Sequence, residues 1–361
     1  MKYFLLAAFI FISRSFTLAQ SQKPYKVIAY YTGSSDAICR FPVQKLTHII
    51  YSFLRFQNDT LGFFNEQQRY SLQQLAMLKK EDPKLKIMVS IGGWGGCASC
   101  SDLFATEEQR NVFARTTVEF LKQNEIDGLD LDWEYPAMEG YPGHKYDTAD
   151  KAHFTELVKA LRKAMGDRYL LSFAAGGFIN YLERSVDWDA VMPQVDFVNL
   201  MTYDLVGGYA TVTGHHTPLL SCRAGQECAD NCVNWLRDKH IPAKKLIIGS
   251  ATYARVWENV PDSANGLYQP GKFFRAVSYY DFNNFFCDTS GYCYYWDPLV
   301  KAPYRYNKEK HLFATFDDEQ SVKQKCEYIR RKKLGGIMFW QLTEDKKENG
   351  LLGVMSRDLN E

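Results

Sequence analysis

The segment with the most evident chemistry runs from residue 127 to residue 134 and reads DGLDLDWE. Acidic and apolar residues alternate in it, which is the period of a β-strand, whose successive side chains point to opposite faces. Asp130, Asp132 and Glu134 would therefore share one face, while leucine and tryptophan on the other face indicate burial. Carboxylates that share a buried face repel one another, so at least one should hold a proton near neutral pH. A protonated acid beside ionised neighbours is suited to the cleavage of a glycosidic bond.

An acidic strand of this kind requires a framework, and eight apolar, β-branched runs alternate with helical stretches along the chain. The strand-like runs are 26–31, 47–53, 86–92, 128–134, 169–175, 197–203, 245–251 and 336–341. Helical patterns include 107–123, 149–165 and 319–331. Near-continuous apolar strands that alternate with helices predict a parallel sheet covered by helices, and eight such units predict an α/β fold, the closed (β/α)8 TIM barrel.

The interval between the last two strand-like runs is too long for a loop. It spans 258–313, is rich in Tyr, Phe, Trp and Asn, and contains turn signals such as residues 288–291. We interpret it as a small inserted subdomain, so the barrel would comprise residues 21–257 and 314–361.

In a barrel of this kind, catalytic groups lie at the C-terminal ends of the strands. Polar or aromatic residues stand at most of these ends: Tyr30, Ser90, the glycine-rich segment 92–96, the acidic run, residues 201–204, Tyr253, Arg255 and Trp340. Together they would surround one mouth. Asp127 has a different parity from Asp130 and would face away from this mouth, where it could bond the backbone near the start of its strand.

These motifs closely resemble those of glycoside hydrolase family 18, the chitinase family. The acidic run matches the family's D-x-x-D-x-D-x-E signature at every specified position, and residues 90–93 (SIGG) match its second signature. Residues 201–204 (MTYD) and Trp340 match as well, and the resemblance covers essentially the whole mature chain. The inserted segment is similar to the α+β insertion of the deep-cleft chitinase subfamily.

The resemblance implies a mechanism in which the substrate supplies its own nucleophile, an acetamido oxygen, and passes through a cyclic oxazolinium ion. Glu134 would be the general acid and base. Asp132 would accept the acetamido N–H and stabilise the positive charge, and Asp130 would share a proton with Asp132. Tyr203 would donate to the acetamido oxygen. An acid, an aspartate that orients an amide N–H and a tyrosine opposite are together what a substrate with an N-acetyl group needs.

Other positions match binding and structural residues of the family. The implied substrate-binding residues are Tyr30, Phe53, Ser90, Trp94, Met201, Asp204, Tyr253, Arg255 and Trp340, and the structural ones are Asp127, Gly92 and Gly93. Tyr30 and Ser90 would hydrogen-bond Asp130, and Trp340 would form the floor under the sugar that is cleaved.

The sequence departs from the family pattern at three places. Gly33-Ser34 stands where many members have a tryptophan that stacks on a distal sugar, which leaves that donor-side subsite in question. Ala254 replaces the usual glycine of Tyr-x-Arg, and Gln341 replaces the glutamate that often follows the last tryptophan. Neither of the latter two would touch the chemistry.

The N-terminus predicts a secretory signal peptide over residues 1–20. Lys2 supplies a short positive region, residues 3–12 are apolar but too few to cross a membrane, and cleavage would follow Ala19. The mature protein would therefore be extracellular and not attached to a membrane. A net charge of +1 gives no reason to expect a nucleic-acid partner. We expect a monomer whose partners are chitin and chito-oligosaccharides.

Nine cysteines in a secreted chain indicate disulfides, with one cysteine left over. The preferred pairs are Cys97–Cys100, Cys287–Cys293 and two among Cys222, Cys228 and Cys232. The first pair also has the spacing of a redox or zinc motif, but a second pair at zinc-finger spacing is missing. His215-His216 resembles a metal site without a third ligand nearby, so we expect a loop role there and no metal or cofactor.

The sequence therefore predicts a secreted chitinase, independent of metal, that hydrolyses β-1,4-linked N-acetylglucosamine polymers with retention of configuration. One alternative is an endo-β-N-acetylglucosaminidase that acts on N-glycans by the same acetamido chemistry, although the insertion, Tyr253 and Arg255 favour linear chitin chains. Another is a chitin-binding lectin without activity. Such lectins typically lose the acid, and Glu134 is present.

Overall fold

A closed barrel forms the centre of the protein, of which the computed structural model describes residues 25–361. Its eight parallel strands are β1 (Lys26–Tyr31), β2 (His48–Gln57), β4 (Lys86–Gly92), β5 (Gly128–Asp132), β6 (Leu170–Gly176), β7 (Phe197–Met201), β8 (Leu246–Ala251) and β14 (Gly336–Trp340). The short strand β3 (Thr60–Gly62) pairs antiparallel with the end of β2. Because β1 pairs with β14 on one side and with β2 on the other, the sheet is closed. The (β/α)8 TIM barrel expected from the sequence is confirmed.

Helices follow the strands. They are α1 (Ser35–Ile38), α2 (Glu66–Met77), α3 (Cys100–Leu103), α4 (Glu107–Gln123), α5 (Asp150–Met165), α6 (Ile179–Arg184), α7 (Trp188–Val191), α8 (Ala229–Asp238), α9 (Phe282–Phe285), α10 (Glu319–Lys332) and α11 (Leu351–Asn360). Asn65, Thr106 and Asp318 begin α2, α4 and α10 by accepting a hydrogen bond from a backbone N–H of the first turn. The three helical patterns predicted from the sequence correspond to α4, α5 and α10.

The alternation within β5 separates two environments. Leu129 and Leu131 belong to the large apolar core between strands and helices. Asp130 and Asp132 point the other way, into the barrel, where a smaller apolar cluster includes Ile28, Ile50, Met88, Phe197 and Met338. At the opposite end of the strand, Asp127 accepts a hydrogen bond from the Ile87 N–H at 2.8 Å and lies 3.1 Å from the Lys79 ammonium. The inward face of β5 therefore brings its carboxylates to the barrel mouth.

A second sheet lies between β8 and α10. Its antiparallel strands are β9 (Tyr253–Glu258), β10 (Lys272–Ser278), β11 (Tyr292–Asp297), β12 (Ala302–Asn307) and β13 (Leu312–Thr315), in the spatial order β10-β9-β13-β12-β11. Trp257, Tyr306 and Phe313 are central to its own small core. The sheet is longer than the predicted interval 258–313 at both ends. β9 begins at Tyr253, with only Thr252 between it and β8, and β13 ends at Thr315. Tyr253 and Arg255 thus lie on the first strand of the insertion.

Two strands end two residues earlier than expected. β5 ends at Asp132 rather than at residue 134, and β7 ends at Met201 rather than at residue 203. The ladder between β4 and β5 stops at the pair Gly92 and Asp132, after which the backbone leaves the sheet. Glu134 and Tyr203 are therefore carried by loops at the mouth.

Cysteine pairing differs from the prediction. Cys97 and Cys100 form a disulfide, as expected. The other two expected bonds are wrong, because Cys222, Cys228, Cys232, Cys287 and Cys293 are free thiols. The sulfur of Cys228 instead accepts the Asn231 N–H and caps α8, and the sulfur of Cys287 contacts the Thr289 hydroxyl at 3.4 Å.

The predicted signal peptide lies outside the described residues. Within residues 25–361, no helix combines the length and the apolar character that crossing a membrane would require.

Candidate active site

Asp130 is completely buried inside the barrel. Four side chains donate hydrogen bonds to its carboxylate: Tyr30 at 3.0 Å, Ser90 at 2.9 Å, Ser172 at 2.6 Å and Asn199 at 3.1 Å. Burial raises the pKa of Asp130, and these hydrogen bonds oppose the rise. Ser90 contacts Asp130 from the neighbouring strand β4 and Tyr30 contacts it from β1 across the barrel interior, as expected, whereas Ser172 and Asn199 were not anticipated from the sequence.

Asp132 lies on the same inward face and is also buried. Its Oδ1 atom has no hydrogen-bond partner among the described residues. Burial, then Glu134 and then Asp130 raise the pKa of Asp132 well above its usual range. A buried carboxylate without a donor is unfavourable, so this side chain is prepared either to hold a proton or to accept an N–H from a bound molecule.

Glu134 follows the end of β5 and is only partly covered. Burial raises the pKa of Glu134 to about 7; a hydrogen bond from Tyr135 opposes the shift and the charge of Asp204 adds to it. A carboxylic acid with a pKa near 7 can give up a proton and take it back at neutral pH, which general acid–base catalysis requires.

An aromatic floor lies beside these acids. Trp340, at the end of β14, stacks on Phe53 with ring centres 5.5 Å apart and an angle of 21° between the planes. Its ring centre is 5.7 Å from that of Tyr30. A flat, partly exposed indole supported from below by other rings offers a surface on which a sugar ring can lie.

Tyr203 is buried and follows the end of β7 at the same mouth of the barrel. Its ring meets Tyr253 edge-on with centres 6.4 Å apart, and Met201, two residues earlier, packs against the interior apolar cluster. Burial, then Asp132 and then Glu134 raise the pKa of Tyr203 well above its usual range. Its hydroxyl therefore keeps its proton and can act as a hydrogen-bond donor beside the acids.

Gly92 and Gly93 allow the backbone to pass close to the acidic strand. A Cβ on Gly92, whose φ is 107°, would lie 2.1 Å from the Asp132 carbonyl oxygen. A Cβ on Gly93 would lie 2.5 Å from the Phe53 ring, and the Gly93 N–H donates to the Asp132 carbonyl at 2.8 Å. Glycine is required at both positions because any side chain would displace the acid or the floor.

Trp94 comes directly after these glycines and is 37% exposed. Its ring lies within 6.2 Å of the rings of Tyr135, Tyr141 and Tyr209. Tyr209 is 71% exposed, which is unusual for a residue of its size. This aromatic cluster offers further platforms for sugars beyond the acidic row; only Trp94 was identified from the sequence.

Asp204 forms an ion pair with Arg255 and lies 3.4 Å from the imidazole of His216. Burial alone would raise the pKa of Asp204, but the hydrogen bonds from His216 and Arg255 outweigh it and lower that pKa. The guanidinium of Arg255 also lies 4.9 Å from the centre of the Tyr253 ring. This group of residues therefore holds a fixed negative and a fixed positive charge next to the acidic row.

The two adjacent histidines face different acids. His215 Nε2 lies 3.3 Å from the Asp297 carboxylate on β11, whereas His216 faces Asp204. Among residues 25–361, no three His, Cys, Asp or Glu side chains are grouped so that they could hold a metal ion.

Sequence reasoning missed several polar groups of the site. The ring of Tyr181 packs edge-on against that of Tyr135, with ring centres 5.3 Å apart, and burial and then the charges of Asp132 and Glu134 raise the pKa of Tyr181. Burial raises the pKa of Glu344 to about 7, with Arg255 opposing and Asp204 adding to the shift. Ser172 is the register partner of Asp130 across β5 and β6, so inward parity on the neighbouring strand could have identified it. Tyr181 and Glu344 follow strand ends without a comparable signal.

Comparison with known proteins gives consistent matches. The family model for glycosyl hydrolases family 18 matches residues 26–345. Chitinase A1 of Niallia circulans is 33% identical over 302 residues, which are 77% of this chain but only 43% of that protein. Chitotriosidase-1 of Mus musculus is 32% identical over 349 residues, 89% of this chain and 73% of that protein. A solved glycoside hydrolase family 18 N-acetylglucosaminidase from Paenibacillus barengoltzii has a TM-score of 0.84 at 33% identity, covering 93% of this chain and 100% of that one.

Proposed function

The chain belongs to glycosyl hydrolases family 18, and we propose that it is a secreted chitinase that cleaves β-1,4 bonds between N-acetylglucosamine units. One observation carries the proposal. Asp132, a buried carboxylate whose Oδ1 atom lacks a donor among the described residues, lies between the fully bonded Asp130 and the acid Glu134. An acetamido N–H supplies the donor that Asp132 lacks, and no such group exists on an unmodified glucose polymer.

Cleavage begins with the proton of Glu134. It passes to the glycosidic oxygen while the bond from that oxygen to C1 breaks, and the acetamido oxygen of the same sugar forms a new bond to C1 from the opposite face. The product is a cyclic oxazolinium ion. Glu134, now ionised, takes a proton from a water molecule that attacks C1, which reopens the ring and restores the acetamido group with net retention.

The neighbours of Glu134 stabilise the intermediate. Asp132 accepts the N–H of the oxazolinium ion and opposes its positive charge, while Tyr203 donates its hydroxyl to the acetamido oxygen. Asp130 shares a proton with Asp132, so the negative charge can move from one carboxylate to the other as the reaction proceeds, while the net charge of the pair stays the same. Trp340 supports the ring of the sugar on which the reaction occurs.

A second activity, release of single N-acetylglucosamine units from chain ends, is favoured by the similarity to the N-acetylglucosaminidase from Paenibacillus barengoltzii. A time course on chitotetraose distinguishes the two, since an enzyme that cuts within the chain gives dimers first and one that removes end units gives monomers first. Release of oligosaccharide from a glycoprotein would identify the N-glycan alternative. Binding of chitotetraose without turnover would identify a lectin.

The mechanism is tested with partially acetylated chitosan, whose product ends are sequenced. If the acetamido group is the nucleophile, every new reducing end should carry an N-acetylated sugar, and fully deacetylated oligomers should not be cut. A stable thiazoline analogue of the intermediate should inhibit. Frequent glucosamine at new reducing ends would exclude the mechanism and make Asp132 the first suspect as a protein nucleophile. Secretion is checked separately by N-terminal sequencing of the exported protein, which should begin near residue 20.

A further inference from the structure

The hydroxyl of Tyr203 has only a weak hydrogen-bond partner among the described residues, although its ring is packed. It lies beyond the end of β7, and its hydroxyl is 3.9 Å from the sulfur of Met338, a weak acceptor. Its ring packs directly on the backbone of β8, since a Cβ on Gly249 would lie 2.9 Å from that ring. The position of Tyr203 therefore depends on the neighbouring backbone.

The residue before it is clamped to β8. The Thr202 hydroxyl accepts a hydrogen bond from the Gly249 N–H at 2.9 Å and donates to the Gly249 carbonyl at 3.1 Å. The regular pairing of β7 with β8 has already ended at Leu200 and Ile248. The Thr202 side chain thus supplies the hydrogen bonds to β8 at the point where the backbone pairing between β7 and β8 has stopped and the chain turns toward the mouth of the barrel.

A buried ion pair lies behind this clamp. Lys325 on α10 and Asp317, between β13 and α10, are 2.6 Å apart and both side chains are fully buried. The Lys325 ammonium also donates to the Thr217 hydroxyl at 2.6 Å and to the Gly249 carbonyl at 3.2 Å. All three of its donors are used on this cluster.

Asp317 also contacts the end of β8, while its Oδ1 accepts from the Ser321 hydroxyl on α10 at 2.7 Å. Asp317 Oδ2 accepts from the Ser250 hydroxyl at 2.9 Å and from the Ala251 N–H at 3.1 Å. The Thr217 hydroxyl lies 3.2 Å from the Thr202 carbonyl, to which it can donate. The ion pair therefore contacts the end of β8 directly and, through Thr217, the residue before Tyr203.

Stability alone does not account for this arrangement, because apolar residues of similar volume often stabilise a protein core as much as a buried ion pair does. We propose that Asp317 and Lys325 are positioning residues that hold Tyr203 against the acetamido group of the substrate. The inference rests on the proposed function, since it takes Tyr203 to act on that group. The end of the insertion and α10 would then influence the rate without touching the substrate.

A double-mutant cycle between the ion pair and Tyr203 tests the proposal. Asp317→Asn with Lys325→Met removes both charges at similar volume, and it is compared with Tyr203→Phe and with all three changes together on chitotetraose. We expect the pair variant to lower kcat by about ten- to a hundredfold with little change in KM, and to cause no further loss when Tyr203 is already Phe. Equal losses in both backgrounds, or an unchanged kcat, would overturn the proposal.

Arg162→Met with Asp196→Asn is the matched control. That ion pair, 2.6 Å long, lies at the start of β7, at the opposite end of the barrel. It should lower the Tm and leave kcat unchanged. If the Asp317/Lys325 variant does not fold, Thr217→Val takes its place in the double-mutant cycle with Tyr203→Phe. This substitution removes one hydroxyl and keeps both charges of the ion pair. A Tyr203→Phe variant with full kcat would refute the proposed role of Tyr203 itself, whatever the pair variant does.

Discussion

The mouth of the barrel holds a row of three carboxylates and, beside it, the single carboxylate of Asp204, and the pKa values of the row and of Asp204 move in opposite directions. In the acidic row of Asp130, Asp132 and Glu134, burial is the largest influence and all three pKa values rise. Asp204 is partly buried, but hydrogen bonds from His216 and Arg255 outweigh the effect of burial and lower its pKa. The contrast teaches that countercharge is supplied where a carboxylate should stay ionised. In the acidic row no cationic side chain bonds the carboxylates: Asp130 has only neutral donors, and Asp132 Oδ1 has none among the described residues.

The strongest test of this contrast is Glu134→Gln. The amide keeps the shape of the acid and cannot donate a proton, so kcat on chitotetraose should fall by about 10²–10⁴ or more. Binding of the same oligosaccharide, measured by titration calorimetry, should persist. Glu139→Gln, an exposed change of the same kind five positions later along the chain, is the control and should have no effect. More than a tenth of the original turnover in the first variant would show that Glu134 is not the acid.

Asp132→Ala should come next in size. Loss of the acceptor for the acetamido N–H and of the opposing charge should lower kcat by about a hundredfold. The affinity for a thiazoline analogue of the intermediate should fall by a similar factor, whereas that for chitotetraose should change less. If analogue and substrate lose affinity equally, Asp132 acts as a general binding residue and the acidic row is less specialised than proposed.

Arg255→Met should make Asp204 resemble the acidic row. Removal of the guanidinium leaves the partly buried Asp204 carboxylate without its cationic partner, so the pKa of Asp204 should rise and the protein should lose about 1–2 kcal/mol of stability at neutral pH. Urea unfolding measures the loss, and KM for chitotetraose should rise because Arg255 is a predicted sugar-binding residue. Lys272→Met is the control, since its ammonium pairs with Glu258 on the surface. An unchanged free energy of unfolding in Arg255→Met would mean that the ion pair contributes nothing there.

The smallest expected effect is on the pH dependence of stability. The pKa of Glu134 is raised, so its favourable contribution is present in acid and is lost as pH rises through about 7. Glu134→Gln should therefore raise the Tm by about 2–4 °C in alkali but not in acid. Asp204 has a lowered pKa, so its contribution is present at neutral pH and lost in acid; Asp204→Asn should lower the Tm mainly at neutral pH. Calorimetry across the pH range measures both changes in Tm, and equal shifts at every pH would contradict the contrast.

The rate of hydrolysis should also depend on pH. Because Glu134 loses its proton as the pH rises through about 7, kcat should decline above neutral pH.

Periodicity was enough to predict the barrel and the inward face of β5, because alternation of side chains along a strand is a local property. The identities of Ser172 and Asn199 as donors to Asp130 depended on the register between strands, which a single sequence does not state. Tyr203 was placed within a strand because its apolar run continues past the point where pairing stops. Cysteine pairing failed for a similar reason, since spacing along the chain does not determine where the sulfur atoms point.

Closure of the barrel also has a consequence for synthesis of the chain. β1 pairs with β14, for example at Lys26 and Gly336. During synthesis, β1 therefore cannot form this pairing until β14, far along the sequence, has been made. A nascent chain that stops before β14 leaves two strand edges open, and open edges favour aggregation. The same strand brings Trp340, the floor of the site. We therefore expect a chain truncated before β14 to misfold or aggregate, and not to form a folded protein with reduced activity.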